Sequence, residues 1–138
     1  MRFSYVPRAV VDIVWNDVEK VLSPAVSRAN GKIGVEDVKR DILDGLCALW
    51  AVMDGKNIVA VVVTRMVQYP QRKVLILEWM GGSNMMDWIE EGHKVLRDFA
   101  QKNNCDRVEG YGRRGWAKPI AKYGWKEDHV VYSIELGD

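Results

Sequence analysis

The stretch from Cys47 to Val67 constrains this chain more than any other. Cys47-Ala-Leu-Trp-Ala-Val-Met53 is an apolar run ended by Asp54-Gly55, a strong tight-turn signal. Asn57 to Val67 follows and is dense in β-branched residues. Two strands folded back on each other are the expected result. The second has no polar face, because Ile58, Ala60 and Val62 alternate with Val59, Val61 and Val63. Such a strand must be covered on both sides, so helices are expected on both faces of the sheet.

A loop with Tyr69-Pro70 and Arg72-Lys73 leads to a third run, Val74 to Met80, which completes an antiparallel meander. Gly81-Gly82-Ser83-Asn84 reads as the break that ends it. Ahead of the meander, Val10/Val11, Val14, Val18 and Val21/Leu22 recur at helical spacing. They predict a helix from Arg8 to Leu22, opened after Pro7 and closed by Ser23-Pro24. A second helix is expected from Val35 to Asp44, with Val35, Val38, Ile42 and Leu46 on one side.

After the glycines comes a third helix, Met85 to Lys102, with Asn84 as its cap and Asp87 in its first turn. Its stripe is Met85, Trp88/Ile89, Gly92, Val95/Leu96 and Phe99/Ala100, and the glycine on that stripe implies close approach to the sheet. Arg107 to Tyr111 then forms a short strand, giving a right-handed parallel crossover. A short helix from Ala117 to Tyr123 carries Pro119 in its first turn. The alternating run His129 to Leu136 is expected to close the sheet. The class is α+β: an antiparallel meander, then a β-α-β crossover, with helices on both faces.

Composition narrows the function. The chain has 138 residues, read as a single domain over 1–138, with 48% hydrophobic and 28% charged residues. Lys+Arg 20 against Asp+Glu 19 leaves a net charge of +1, which argues against nucleic acid as a partner. The cluster Arg113, Arg114, Lys118, Lys122 and Lys126 reads first as a solvated face, with the arginine pair answering Glu109 and Glu127. A phosphate contact is the alternative. The longest strongly apolar run, Ile58 to Val63, is too short for a membrane span. Cys47 and Cys105 match no metal spacing and read as reduced thiols in a cytoplasmic protein. No metal site is expected. His93 and His129 have no nucleophile at motif spacing and read as partly buried, hydrogen-bonded side chains. Trp79, Trp88 and Trp116 are expected near one another.

Three segments carry a resemblance: Leu49-Trp-Ala-Val-Met-Asp-Gly-Lys-Asn-Ile-Val-Ala60, Cys105-Asp-Arg-Val-Glu109 and Ala121-Lys-Tyr-Gly-Trp125. With the order of elements, they resemble the GNAT N-acetyltransferase superfamily over almost the whole chain. The Tyr69-Pro70 loop and the run Gly112 to Ala117 look most like the small GNAT-like proteins of tailed phages and prophages. The resemblance implies acetyl-CoA as cofactor, held where the third meander strand splays from its parallel neighbour. The residues implied to contact it are Met80, Gly81, Gly82, Ser83, Asn84, Arg113 and Arg114. It implies Glu78 as general base. Tyr111, just after the parallel strand, is a candidate substitute acid; Tyr123 is a further candidate, but in the family's usual leucine position it reads first as a core tyrosine with a tethered hydroxyl. Glu78 also reads as a structurally paired carboxylate.

Two departures stand out. The Gln/Arg-x-x-Gly-x-Gly/Ala phosphate pattern is missing, and Ile120 occupies the tyrosine position of the general acid. Two readings therefore remain. One is an acyl-CoA-dependent N-acetyltransferase acting on an amine. The other is a cofactor-free phage protein that binds a virion or host partner, in the particle or the host cytoplasm. A homodimer is left open.

Overall fold

The computed structural model describes residues 1–112 and 114–137, Arg114 by its backbone alone. Its elements are β1 (Arg2–Val6), α1 (Arg8–Ser27), α2 (Val35–Leu43), β2 (Ala48–Asp54), β3 (Asn57–Gln68), β4 (Lys73–Gly82), α3 (Met85–Lys102) and β5 (Arg107–Gly110). A 3-10 turn (Arg114–Trp116) and α4 (Ala117–Ala121) follow. The five strands form one sheet in sequence order. β1 to β4 are antiparallel neighbours, and β5 is parallel to β4 across the α3 crossover. This is the expected α+β architecture.

The two-sided apolar character of β3 decides the layers. Val61 and Val63 pack with Val11, Trp15, Val18 and Leu22 of α1 and with Val38 and Ile42 of α2. Ala60 and Val62 face the other way, toward Trp88 and Leu96 of α3. Each face of one strand thus supplies half of a separate core, and both halves exclude water from the β3 backbone.

The structure departs from the sequence reading at five points. β1 was not foreseen, because its five residues are cut short by Pro7. It forms because Phe3 is buried, stacking on Trp50 at 5.7 Å and Trp88 at 6.1 Å. The close approach expected at Gly92 is made to that strand: a Cβ there would sit 3.2 Å from Phe3. Helix α1 runs through Pro24 to Ser27, because Val26 continues the buried stripe while Pro24 lies on the exposed side. There the carbonyl of exposed Lys20 loses its N–H donor, and packing outweighs the roughly 3 kcal/mol proline cost. Leu46 falls beyond α2 and is exposed.

The fourth departure is the last strand. Residues 129–136 are exposed and unpaired. The three tryptophans do not cluster either: Trp79 packs on the α1 side of the sheet, Trp88 is buried on the α3 side, and Trp116 lies over Gly112. Among the described residues, no helix is long and apolar enough to cross a membrane.

Candidate functional site

The geometry that matters lies between β4 and β5. They pair at only four positions, Val74 with Arg107 through Leu77 with Gly110. One further link follows, the Tyr111 amide donating to the Leu77 carbonyl at 3.3 Å. Beyond it β4 continues from Glu78 to Gly82, paired to β3 on one side and to no strand on the other. The strands open into a wedge, and α3 begins just past its mouth, at Met85.

A bulge shapes the β4 side of this wedge. Val63 opposes Trp79 while Thr64 opposes Leu77, leaving Glu78 as the extra residue. Simple alternation would put Glu78 with both Ile76 and Met80. Instead Leu77 and Met80 both pack toward α3, whereas Glu78 and Trp79 turn toward the α1–α2 side. Met80, expected at the cofactor, is therefore half-buried against the α3 core beside the wedge.

Glu78 is not a free carboxylate. Arg65 donates from Nε to its Oε2 at 2.9 Å and from Nη2 to its Oε1 at 3.4 Å. The same Nη2 donates to Asp41 Oδ2 at 2.7 Å, tying α2 to the sheet. Cys47 completes the cluster with its Sγ 3.9 Å from Glu78 Oε1. Burial pushes the Cys47 thiol up to about 12, against the lowering effect of Arg65 and helped by Glu78 and Asp41. The hydrogen bond to Glu78 raises Arg65 further still, so the guanidinium stays charged. The structurally paired reading of Glu78 is thus the geometry observed. Arg65 was overlooked at the level of sequence, although a lone arginine in a run of valines signals a partner inside the fold.

Gly81 and Gly82 remain in β4 rather than forming a loop, and packing explains both. A Cβ on Gly81 would lie 2.5 Å from the Val21 carbonyl oxygen of α1. Gly82 has φ +120°, and a Cβ there would lie 2.4 Å from Ala60 Cα. The Ser83 amide donates to the Val59 carbonyl at 3.0 Å, and the Ser83 carbonyl accepts from Trp88 Nε1 at 3.0 Å. Asn84 adopts a left-handed conformation (φ 58°) and makes no side-chain cap. Its expected capping role is not realised; it serves as the bend between strand and helix. The cofactor expectation at Arg113 and at the Arg114 side chain lies outside the described residues.

Tyr111 stands at the point of divergence and is 61% exposed. Desolvation, then the nearby Tyr69, Glu109 and Glu78, raise its phenol above the ordinary value. Tyr123 is not buried. It is half-exposed, 5.1 Å from the His93 ring, with Lys122 Nζ 5.2 Å above its face. Its hydroxyl makes no hydrogen bond among the described residues, so the tether expected of it is absent. His93 is partly buried and accepts from Trp125 Nε1 at 3.2 Å, as the sequence suggests. His129 is exposed beside Asp128, which corrects the expectation of burial. Glu109 pairs with Arg107 at 2.8 Å.

No family model matches the chain, and no curated protein matches it in sequence. Solved structures do match in fold. A probable acetyltransferase superposes with a TM-score of 0.71 at 11% identity, over 100% of this chain and 99% of its own. A predicted acetyltransferase from Clostridium acetobutylicum, solved with acetyl-CoA, gives 0.69 at 11% identity, covering 98% and 96%. An aminoglycoside acetyltransferase from an uncultured soil metagenomic sample, in complex with sisomicin, gives 0.69 at 11% identity, covering 99% and 96%. The fold is that of GNAT-type acetyltransferases.

Proposed function

We propose that the chain is an acyl-CoA-dependent N-acetyltransferase acting on an amine, with the acyl-pantetheine arm in the wedge between β4 and β5. The observation that carries this reading is the divergence after Leu77, which leaves the β4 edge from Glu78 to Gly82 unpaired. An open strand edge seeks hydrogen bonds, and an extended chain of amides satisfies it as an added strand does.

The residues present fit the pantetheine half of acetyl-CoA better than its phosphates. Gly81 and Gly82 are consumed by packing and the Ser83 amide by Val59. The amides of Met85 and Met86, at the start of α3, have no intrahelical acceptor and are the donors left for a pyrophosphate. Asp87 in that first turn opposes the same anion. When bound, acetyl-CoA supplies an activated acyl thioester. Tyr111 Oη is the proton donor at the departing sulfur, and its raised pKa keeps that proton on at neutral pH. Glu78, both oxygens engaged by Arg65, stays an ion-paired carboxylate, and the proton of the attacking amine leaves to solvent water.

A second reading keeps the fold and drops the cofactor: a GNAT-like phage protein that binds a virion or host partner. The occupied Ser83 amide and the acid at Asp87 favour it. Isothermal calorimetry with acetyl-CoA separates the two. Micromolar binding, weakened by substitutions at the wedge, supports the enzyme; no heat at millimolar acetyl-CoA overturns it and leaves the partner reading.

A further inference from the structure

Acyl transfer to an amine leaves a proton to be removed, and the carboxylates around the wedge are already engaged. Glu78 stands at the point of divergence, but Arg65 occupies both of its oxygens, at 2.9 Å and 3.4 Å. Glu109, two residues before Tyr111, is held by Arg107 Nε at 2.8 Å. The Nη2 of the same guanidinium holds Asp128 at 2.8 Å. A carboxylate fixed by a guanidinium is a poor proton acceptor, because protonating it breaks the ion pair and strands the arginine charge.

The other acceptors nearby are committed too. His93 accepts the Trp125 indole N–H at Nδ1, 3.2 Å away, and is left with an N–H at Nε2. Glu91 accepts the Phe3 amide at 3.0 Å. Burial keeps the Cys47 thiol protonated. Asp87 lies in the first turn of α3, beyond Gly82. The β4 residues from Glu78 to Gly82, ~16 Å at ~3.3 Å per residue, separate it from the place where the strands part.

An amine that meets no base must arrive as the free base. At pH 7 an α-amino group, with a pKa of about 8, is roughly one-tenth free base. A lysine-type alkyl amine, near about 10.4, is free base to only ~4 parts in 10,000. Basicity alone therefore sorts acceptors at this site. Tyr69 and Glu109, which border the Tyr111 phenol, also line a recess of about 540 Å³ together with Pro70 and Val74. That is room for a small substituent or the first residues of a peptide.

We infer that the acceptor is a weakly basic amine, either the α-amino group of an amino acid or short peptide or an aryl amine, in preference to a lysine-type alkyl amine. This rests on the acetyltransferase reading above. The amine nitrogen bonds to the acyl carbon as the carbon–sulfur bond breaks. The sulfur takes the Tyr111 proton, the nitrogen gives its own to water, and water reprotonates Tyr111.

The test compares triglycine, aniline and Nα-acetyl-lysine amide as acceptors at saturating acetyl-CoA from pH 6 to 9. At pH 7 triglycine or aniline should exceed the lysine analogue in kcat/KM by about tenfold or more, and whichever does so names the source of the amine. The free-base ratio of about 200 for triglycine is offset in part by the greater nucleophilicity of the stronger base. For each amine kcat/KM should follow that amine's own free-base fraction. A lysine analogue equal or better at pH 7, or a rise that levels well below the pKa of the amine, reveals a base in the protein and overturns the proposal.

A second readout needs no turnover. The Arg65 Nε–H magnetic resonance signal should persist unmoved when triglycine is added to the protein saturated with CoA. Its shift or loss means that Glu78 has left Arg65 to serve as the base, which also overturns the proposal. Should calorimetry show acetyl-CoA bound while none of the three amines is acetylated, this inference falls and the cofactor assignment stands. Should acetyl-CoA not bind, both fall.

Discussion

Trp125 Nε1 donates to His93 Nδ1 at 3.2 Å, and this contact fixes the chemistry of the histidine it touches. Nδ1 must be unprotonated to accept, so the imidazole is the neutral Nε2–H tautomer. Desolvation first, then Arg97, lowers its pKa from the ordinary value of 6.5. The unfolded chain then binds more protons than the folded one in the interval below that value. The associated stability is complete above about 6.5 and is lost as pH falls through the folded pKa. The melting temperature should drop between about pH 7 and pH 5, and His93→Gln should flatten the drop. Equal slopes for the two proteins would remove His93 from the account.

The glycines at the end of β4 are predicted to be structural. Gly81→Ala drives a methyl into the Val21 carbonyl, and Gly82→Ala meets both Ala60 and a strained φ. Each should cost on the order of 2 kcal/mol by denaturant titration. Gly115→Ala, which meets nothing, should be close to neutral. Full stability of Gly81→Ala would show that α1 does not seat against β4 as described.

Arg65 holds Asp41 and Glu78 together in partly buried surroundings. Arg65→Met should therefore destabilise by about 2 kcal/mol, because it leaves two carboxylates without their partner. Replacing all three by apolar residues of similar volume should recover most of the loss. A triple variant no better than the single one would mean that the cluster is more than a mutual neutralisation.

Cys47, with its thiol held near 12, should be almost inert to alkylation at pH 8. Its rate should fall about a thousandfold below an exposed cysteine and recover in denaturant. Rapid labelling of Cys47 in the native protein, read by peptide mass, would contradict its burial.

The charge at the start of α3 gives a test of where phosphates bind. Asp87→Asn should tighten acetyl-CoA several-fold by removing a repulsion in the first turn. Tyr111→Phe should lower kcat with little change in KM, since the hydroxyl is assigned to proton transfer rather than binding. Unchanged affinity in the first variant would place the pyrophosphate elsewhere, and unchanged kcat in the second would strip Tyr111 of its role.

Much of this was readable from residues alone, and the reasons are local. The Asp54-Gly55 turn, the two-faced β3 and the stripe of α3 each depend on neighbours a few positions apart. Strands β2 to β5 and the central helix followed from them, as did the parallel crossover. The site was read less well, because it is made by partners distant along the chain. Glu78 is defined by Arg65 and Asp41, Gly81 by the Val21 carbonyl and His93 by Trp125, at separations no periodicity registers. The carboxylate that looked available as a base proved to be spent in an ion network. The glycines that looked like a phosphate loop proved to be spacers for α1 and β3.

The amino-acid order by itself determined the layered α+β architecture, because hydrophobic alternation dictates which surfaces must be buried whatever their final neighbours. Only the tertiary structure decided that a proline would be carried inside α1, that a bulge would turn Glu78 toward the α1–α2 side, and that residues 130–136 would stay out of the sheet. Those outcomes weigh a local preference against packing elsewhere in the molecule, and the winner depends on contacts that exist only once the chain has closed on itself.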